Sequence, residues 1–250
     1  MSTESTEPLD DARVANDDAR VANDDARVAN DDARVASDDA RVANDDARVA
    51  NDEARSPRGE ELILIGVQKS VGAVPGVIRG ARGLSHLGEH ALGWMGLAAA
   101  GAVLAARRHD DAGVRRYAEA GVGAFGAHAA SVVIKRIVRR KRPHHPAVTV
   151  GVGTPSKLSF PSSHATSTTA AAILLGRALA GDSPAGIRRL APVAIPAVIV
   201  PPMLASRLVL GVHYPSDVAA GALIGALSAG AIVAADKLYT DRLSPAASTK

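Results

Sequence analysis

Apolar segments of nearly membrane-spanning length fill the C-terminal two-thirds of this 250-residue chain. A helix that crosses a bilayer needs roughly 20 mostly apolar residues, and each segment approaches that length. Aromatic residues make up only 2% of the chain, so Ala, Val, Leu and Gly must fill the space between helices. Such small residues let membrane helices pack closely. The segments are residues 92–106, 117–134, 164–180, 190–210 and 218–235.

These segments predict an all-α fold, a multi-spanning membrane helical bundle with about five transmembrane helices. Gly221 and Gly225 lie four residues apart in the fifth segment, a spacing suited to close contact with another helix. Four prolines complicate the fourth segment, which we expect to be kinked. A soluble all-helical protein with buried helices is the alternative, and the scarcity of aromatic residues weighs against it.

An acidic heptad repeat, Asp-Asp-Ala-Arg-Val-Ala-Asn, precedes the apolar body from residue 10 to residue 51. Residues 10–55 carry 14 acidic residues and 7 arginines, whereas the rest of the chain is basic. Each heptad offers only one Val to a coiled-coil core, which buries too little apolar surface to offset the ordering entropy. We therefore expect a disordered tail over residues 1–58, with a weak coiled coil as the alternative.

The remaining boundaries follow from changes in composition. An amphipathic lead-in helix is predicted over residues 59–84, and Pro75 must kink or split it. The membrane domain is predicted over residues 85–240, followed by a disordered tail over residues 241–250. The first 55 residues contain no apolar stretch typical of a secretory signal peptide, so an internal hydrophobic helix is expected to direct membrane insertion.

Three polar clusters interrupt the apolar body, each at the end of an apolar segment. The first contains Lys135 and Arg142, the second runs from Ser162 to His164, and the third runs from Arg207 to Asp217. If successive segments alternate across the membrane, all three clusters lie on the same face. The topology therefore predicts one convergent polar site.

The converged cations are suited to binding phosphate. Lys135, Arg142 and Arg207 supply fixed positive charge, and the two guanidiniums can each bind a pair of oxygens. Ser162 and Ser163 lie where a helix begins, so free backbone N–H groups and the helix dipole also favour an anion there.

Two histidines and a carboxylate add reactive groups to this set. Asp217 lies four residues after His213, and a carboxylate that fixes the tautomer of an imidazole makes its opposite nitrogen a competent nucleophile. A second, protonated histidine such as His164 can give its proton to a departing alkoxide. Phosphoryl transfer needs mainly positioning and charge neutralisation, so no metal and no cofactor are expected.

The order and spacing of these residues resemble the three signature motifs of the type 2 phosphatidic acid phosphatase superfamily. That superfamily includes bacterial acid phosphatases and vanadium haloperoxidases. The likeness covers roughly residues 85–236 and excludes the repeat. The matching motifs are Lys135-x6-Arg142-Pro143, Pro161-Ser162-x-His164 and Ser206-Arg207-x5-His213-x3-Asp217.

The resemblance implies the helical fold of the phosphatidic acid phosphatase type 2 and haloperoxidase enzymes, with the site at the helix ends. It also implies a phosphohistidine intermediate on His213, oriented by Asp217, with His164 as general acid. The superfamily usually has Gly where this chain has Ser163, so the loop must accept a side chain there. The residues that would hold the phosphate are Lys135, Arg142, Ser162, Ser163 and Arg207.

A narrower likeness appears in Gly88-Glu89-His90 and in the run from Ser159 to Ser167. Both are similar to the actinobacterial decaprenylphosphoryl-5-phosphoribose phosphatases, which act in the supply of arabinose for cell-wall arabinan. The likeness implies hydrolysis of a phosphomonoester on a lipid carrier by a multi-pass protein of the cell membrane. The motifs recognise the phosphate rather than the lipid, so isoprenyl diphosphate and phosphatidic acid are alternative substrates. A catalytically silent membrane scaffold and a vanadium haloperoxidase are alternatives of other classes.

Other polar residues have more ordinary interpretations. His86 and His90, with Glu89 between them, could form a metal pair, but no third ligand is near in sequence and surface or packing roles are expected. His128 lies on the same helical face as Lys135, and we expect it to have a lining or packing role.

The basic residues between Lys135 and Arg142 are expected to anchor the chain at the membrane surface. The basic body lacks interleaved aromatic residues, so no nucleic-acid binding is expected, and its charge is better suited to anionic lipid head groups. The sequence does not predict an oligomeric state. The anchoring residues are Arg136, Arg139, Arg140 and Lys141.

Overall fold

The computed structural model describes residues 56–181 and 185–243, together with the isolated positions Arg27, Asn30 and Ser37. The predicted repeat tail up to residue 55 therefore lies outside the described residues, apart from those three positions. At the other end, the last helix continues to Leu243, so the predicted C-terminal tail cannot begin at residue 241. Residues 244–250 lie outside the described part.

Seven α-helices and one short 3-10 turn make up the regular structure of the described residues, apart from one isolated β-bridge between Lys141 and Leu158. The predicted all-α fold is confirmed. The 3-10 turn, Glu89–Ala91, lies between α2 and α3. The helices are α1 (Glu60–Ser70), α2 (Val77–Leu87), α3 (Leu92–Arg107), α4 (Asp111–Val138), α5 (Ser163–Gly181), α6 (Ala185–Val209) and α7 (Pro215–Leu243).

The predicted lead-in helix consists of two helices, α1 and α2. The chain leaves helical geometry between Ser70 and Val77, in the stretch that contains Pro75. Proline has no N–H to donate and its ring clashes with the preceding turn, which explains the break. In contrast, α6 continues through Pro192, and membrane helices tolerate prolines of this kind when neighbouring groups satisfy the freed carbonyls.

Among the described residues, three helices are long and apolar enough to cross a membrane. They correspond to residues 111–138, 189–209 and 215–242. The other two predicted spans form the helices α3 and α5 but do not meet this criterion, so the expected count of about five was loose. The 16 residues of α3 reach only roughly 24 Å, and the first turns of α5 are rich in Ser and Thr. Large apolar side chains such as Phe125, Leu223 and Leu227 are exposed on the long helices, as expected for surfaces that face lipid.

The most enclosed helix is α5, which packs against α4, α6 and α7. Every residue from Ala165 to Ala172 is buried, and all of them are Ala, Ser or Thr. Thr168 accepts a hydrogen bond from Trp94 Nε1 at 3.0 Å, which satisfies the polar atom of the chain's one tryptophan. Small side chains on α5 therefore allow the surrounding helices to approach closely.

Gly221 and Gly225 of α7 pack closely against the backbone at the start of α5. A Cβ atom on Gly221 would lie 2.7 Å from the carbonyl oxygen of Ser162, and one on Gly225 would lie 2.3 Å from that of Thr166. No side chain fits at those distances. The predicted close-contact role of this glycine pair is confirmed, and the contact fixes α7 against the start of α5.

Ion pairs connect three helices at the opposite end of the bundle. Arg177 of α5 lies between Glu119 of α4 and Asp236 of α7, and its Nη1 donates to Glu119 Oε2 at 2.6 Å. Arg115 Nη2 lies 3.3 Å from Asp236 Oδ1. Each of these charged side chains thus has a partner of opposite charge. Without these partners, α4, α5 and α7 would each expose unpaired charges to an apolar environment.

We expect Gly225→Ala to destabilise the protein by roughly 1–3 kcal/mol, the typical cost of overpacking. The physical reason is that the added methyl group would collide with the Thr166 carbonyl oxygen. The matched control is Gly230→Ala on the same helix, where no atom lies within 4 Å of the new methyl group and Ala is favoured by roughly 0.5–1 kcal/mol. Thermal unfolding in detergent measures both. Equal melting temperatures for the two variants would contradict the close-packing argument.

Candidate active site

One cavity of about 610 Å³ contains six of the eight predicted site residues. It lies where the end of α4 and the start of α5 meet the loops that follow α4 and α6. Ser162 and Asp217 are fully buried behind its wall. The structure therefore brings the three sequence clusters together at one place. The six lining residues are Lys135, Arg142, Ser163, His164, Arg207 and His213.

Backbone carbonyl groups hold two of the cations at the cavity wall. Lys135 Nζ donates to the carbonyl oxygens of Leu158 at 3.1 Å and Ser159 at 3.3 Å. Arg142 Nε donates to the carbonyl oxygen of Ser156 at 2.8 Å. Burial lowers the pKa of Arg142 to about 10, which leaves it a cation at neutral pH. The loop after α4 thus fixes both cations in place.

Arg207 is the most deeply buried of the three cations, with 2% of its surface exposed. Its Nη1 donates to Ser85 Oγ at 3.1 Å. Its Nη2 is buried and has no hydrogen-bond partner within the part of the chain that the structure describes. An unsatisfied buried donor costs roughly 1–3 kcal/mol, more if charged, so an anion oxygen in the cavity would relieve this cost.

His213 presents Nε2 towards the cations and Nδ1 towards Asp217. Nε2 lies 3.2 Å from Arg142 Nη1, and Nδ1 lies 3.6 Å from Asp217 Oδ2, slightly beyond hydrogen-bond distance. Burial, with the charges of Arg142 and Lys135, lowers the pKa of His213 to about 3. The imidazole is therefore neutral at pH 7, and because a guanidinium can only donate, Nε2 accepts the hydrogen bond from Arg142 and the ring proton lies on Nδ1. An electrophile bound at the cations would displace this hydrogen bond and meet the Nε2 lone pair.

Arg140 holds the carboxylate of Asp217, a contact that the sequence did not predict. Arg140 Nη1 donates to Asp217 Oδ1 at 2.9 Å, and the backbone N–H of Tyr214 donates to Asp217 Oδ2 at 2.8 Å. Arg140 was expected to be a surface anchor, and that expectation is wrong. Its sequence neighbours are all basic or apolar, so nothing in the local pattern distinguishes it from them.

Glu60, at the start of α1, completes this network. Its Oε2 accepts from Arg140 Nη2 at 2.6 Å, and its Oε1 accepts from the backbone N–H of Ser216 at 2.6 Å. Burial would raise the pKa of Glu60, but the hydrogen bonds from Arg140 and Ser216 outweigh it and hold that pKa below its ordinary value. The two carboxylates in turn raise the pKa of Arg140, although burial opposes them. All three groups of the Glu60–Arg140–Asp217 chain are thus charged.

The two serines at the start of α5 have different surroundings. The backbone N–H of Ser162 donates to the carbonyl oxygen of Asp217 at 3.0 Å, and Ser162 Oγ lies 3.4 Å from the backbone nitrogen of Ala165. Its N–H is therefore occupied by a protein partner, and the predicted phosphate contact from Ser162 stays a prediction. Ser163 lines the cavity, and its Oγ accepts from Ser131 at 2.8 Å. That bond shows how the loop accepts a side chain at this position.

His164 follows directly and is oriented by α2. Its Nε2 lies 2.9 Å from the carbonyl oxygen of Ser85. Because a carbonyl only accepts hydrogen bonds, Nε2 must carry a proton and Nδ1 is left for other partners. Ser85 therefore contacts both His164 and Arg207, a role that the sequence did not indicate.

Four other residues of this region also line the cavity: His86, Glu89, His90 and His128. The expected lining role of His128 is thus confirmed. For His86, Glu89 and His90, surface or packing roles were expected, and their position at the cavity was not predicted. The rings of His90 and His128 lie 5.8 Å apart between centroids. Within the described ranges, no group of three or more His, Asp or Glu side chains is arranged to hold a metal ion.

Comparisons with known proteins agree with this architecture. The model of the PAP2 superfamily matches residues 116–240. Decaprenylphosphoryl-5-phosphoribose phosphatase of Mycobacterium tuberculosis is 53% identical over 178 residues, which cover 71% of this chain and 90% of the relative. The enzyme of that name from Mycolicibacterium smegmatis is 54% identical over 166 residues, 66% of this chain and 83% of the relative.

A solved structure has a similar fold. It is a crystal structure of a transmembrane PAP2-type phosphatidylglycerolphosphate phosphatase from Bacillus subtilis. The match has a TM-score of 0.56 and covers 70% of this chain and 85% of that one, at 21% identity. At this identity the likeness shows the fold alone, and it supports a multi-pass membrane bundle.

We expect inorganic phosphate to stabilise the folded protein and Arg207→Ala to remove that stabilisation. Phosphate at roughly 100 times its Kd would add about 2.7 kcal/mol to the free energy of unfolding. Thermal unfolding in detergent with phosphate, or with potassium chloride at matched ionic strength, measures the effect. Lys141→Ala is the matched control, since it removes a cation outside the cavity. Equal phosphate stabilisation of Arg207→Ala and wild type would contradict the assigned anion site.

Proposed function

This chain belongs to the PAP2 superfamily, and we propose that it hydrolyses decaprenylphosphoryl-5-phosphoribose to decaprenylphosphoryl-ribose and inorganic phosphate. The observation that carries the proposal is the position of His213 Nε2 beside Arg142, in a cavity that three further cations, Lys135, Arg136 and Arg207, also line. The lipid substrate is supported by the 53–54% identity to the two mycobacterial enzymes over most of their length. A cell-membrane location follows from the same proposed substrate.

Binding of the phosphate group is explained by the charges around the cavity. Four cations line the cavity, Lys135, Arg136, Arg142 and Arg207, together with the carboxylate of Glu89. With Arg140, Asp217 and Glu60 added and the histidines neutral, the formal net charge is +2. A phosphomonoester dianion would neutralise that charge. Its oxygens would accept a hydrogen bond from the unpaired Nη2 of Arg207. They would also compete with backbone carbonyl oxygens for the hydrogen bonds that Lys135 and Arg142 donate. Ser163 is the remaining proposed contact.

In the first chemical step, His213 Nε2 attacks phosphorus and forms an N–P bond. His164 enters this step protonated on both ring nitrogens, because the bound phosphate dianion favours the imidazolium over the neutral ring. The bond between phosphorus and the ribose oxygen breaks, and that oxygen takes the proton from His164 Nδ1. His213 gains a positive charge, which the Asp217 carboxylate stabilises once Nδ1–H closes the 3.6 Å gap. Catalytic hydrogen bonds often shorten when the reacting complex forms.

In the second step, water hydrolyses the phosphohistidine. His164, now neutral at Nδ1, takes a proton from water as the water oxygen bonds to phosphorus. The N–P bond breaks, its electron pair returns to His213 Nε2, and inorganic phosphate leaves. Each histidine thus returns to its starting protonation state. The three cations stabilise the charge on the transferred group in both steps.

We propose that this reaction is independent of metal ions. The positive charge that phosphoryl transfer requires is supplied by Lys135, Arg142 and Arg207, all within the cavity wall. The nucleophile is a side chain, so no metal-bound hydroxide is needed for the first step.

We expect purified wild-type protein to release phosphate from decaprenylphosphoryl-5-phosphoribose in the presence of EDTA, and His213→Ala to release none. Removal of the imidazole removes the nucleophile. His144→Ala, which changes a histidine outside the cavity, is the control and should retain wild-type turnover.

The other outcomes of this assay separate the alternatives. Activity that EDTA abolishes and Mg²⁺ restores would contradict metal independence. No release from this lipid, but release from isoprenyl diphosphate or phosphatidic acid, would replace the proposed substrate. A folded wild-type protein inactive on all three lipids would support the scaffold interpretation.

Arg140→Ala should reduce kcat by roughly 10- to 100-fold, by analogy with outer-shell partners of metal ligands. The physical reason is that Asp217, with none of its surface exposed, loses the cation that fixes its carboxylate. Steady-state kinetics of phosphate release measures the change, which should fall on kcat more than on KM because Arg140 does not line the cavity. Lys141→Ala serves as the control. A wild-type kcat for folded Arg140→Ala would show that Asp217 needs no such support.

A further inference from the structure

The segment from Ser85 to His90 forms the wall of the cavity beside His164. It contributes the Ser85 carbonyl oxygen that binds His164 Nε2 at 2.9 Å and the Ser85 hydroxyl that binds Arg207 Nη1 at 3.1 Å. Gly88 packs so closely that a Cβ atom there would lie 2.8 Å from His164 Cδ2. The segment lies before residues 116–240, which the PAP2 superfamily model matches. The segment thus lies outside the matched region and is in direct contact with the candidate phosphate site.

Three further polar side chains line the cavity in or next to this segment. Glu89 and His90 follow Gly88 directly, and His128 of α4 faces His90 across a ring-centroid distance of 5.8 Å. His128 Nδ1 is buried and has no hydrogen-bond partner among the residues described. His90 and Ala91 have φ values of 50° and 61°, a left-handed backbone that side chains rarely adopt. The turn thus holds Glu89 and His90 at the cavity in an uncommon conformation.

The chemistry of these side chains does not suit phosphate. A carboxylate repels an anion, so Glu89 cannot be part of the phosphate-binding set. Carboxylate oxygens accept hydrogen bonds from hydroxyl groups, and each imidazole can donate one bond and accept another. Together they fit a neutral ligand that carries several hydroxyl groups.

The proposed reaction determines which part of the substrate meets this wall. The oxygen that leaves phosphorus must lie at His164 to receive its proton, so the group attached to that oxygen lies beside His164. We propose that Glu89, His90 and His128 form a binding subsite for the hydroxyl groups of the sugar ring in the leaving group. This inference rests on the proposed function. The subsite makes the chain prefer a phosphorylated sugar to a phosphomonoester without one.

The test compares two substrates in the same detergent: decaprenylphosphoryl-5-phosphoribose and phosphatidic acid, a phosphomonoester without a sugar. Glu89→Gln keeps the shape of the side chain but removes its charge. It should lower kcat/KM for the ribose-containing lipid by roughly tenfold, which is the lower end of the range for the loss of a hydrogen bond to a charged group. The kcat/KM for phosphatidic acid should stay within about twofold of the wild-type value.

A second variant guards against an effect of Glu89→Gln on folding. His128→Phe preserves a ring against His90 but removes both ring nitrogens, and it should produce the same substrate-selective loss. Asp111→Asn is the matched control, since it removes an exposed carboxylate at the opposite end of the helix that carries His128. That control should leave kcat/KM unchanged for both lipids.

The failure of this inference is distinguishable from the failure of the proposed function. Suppose that the wild-type protein hydrolyses the ribose-containing lipid. If both variants then lose the two activities equally, or lose neither activity, the subsite is overturned and the proposed function stands. Wild-type protein that hydrolyses phosphatidic acid but not the ribose-containing lipid overturns both.

Discussion

The site depends on three cations, Lys135, Arg142 and Arg207, that meet in one buried cavity of a mostly apolar helix bundle. Like charges in such a place repel each other and lose hydration, so each needs fixed polar partners. The loop after α4 supplies backbone carbonyls, and α2 supplies the hydroxyl of Ser85. These partners stabilise the cations without neutralising them, which leaves an anion site that is already arranged before substrate arrives. Electrostatic stabilisation of this kind requires little reorganisation during the reaction.

The close packing of α5 and α7 connects this electrostatic site to the fold. Because Gly225 has no side chain, α7 can approach the Thr166 carbonyl oxygen closely. One turn nearer the site, the same approach lets the N–H of Ser162 donate to the carbonyl oxygen of Asp217. The second and third sequence motifs are thus joined by a backbone hydrogen bond. A change that separated the helices would also displace His213 from the cations.

The sequence predicted the parts of the site whose spacing is local. The apolar segments indicated the helices, and the glycine pair indicated the close contact. The motif residues did converge, although Ser162 caps a helix instead of lining the cavity. The contacts from Glu60 to Arg140 and from Ser85 to His164 could not be predicted, because each joins residues about 80 positions apart that follow no periodic pattern. The expected number of spans was only approximate, since α3 and α5 form helices where predicted but are not as long and apolar as the other three.

Both lead-in helices contact the candidate site although they precede the residues that the PAP2 superfamily model matches. Through Arg140, Glu60 of α1 supports the carboxylate that orients His213, and Ser85 of α2 orients His164. On the same helix as Glu60, Leu62 and Ile63 are exposed, as expected for a helix at a membrane surface. The mycobacterial relatives align over 178 residues, more than the superfamily model matches, so the likeness to them extends outside that core. The matched region therefore contains all eight predicted site residues, and the preceding helices contact His164 directly and Asp217 through Arg140.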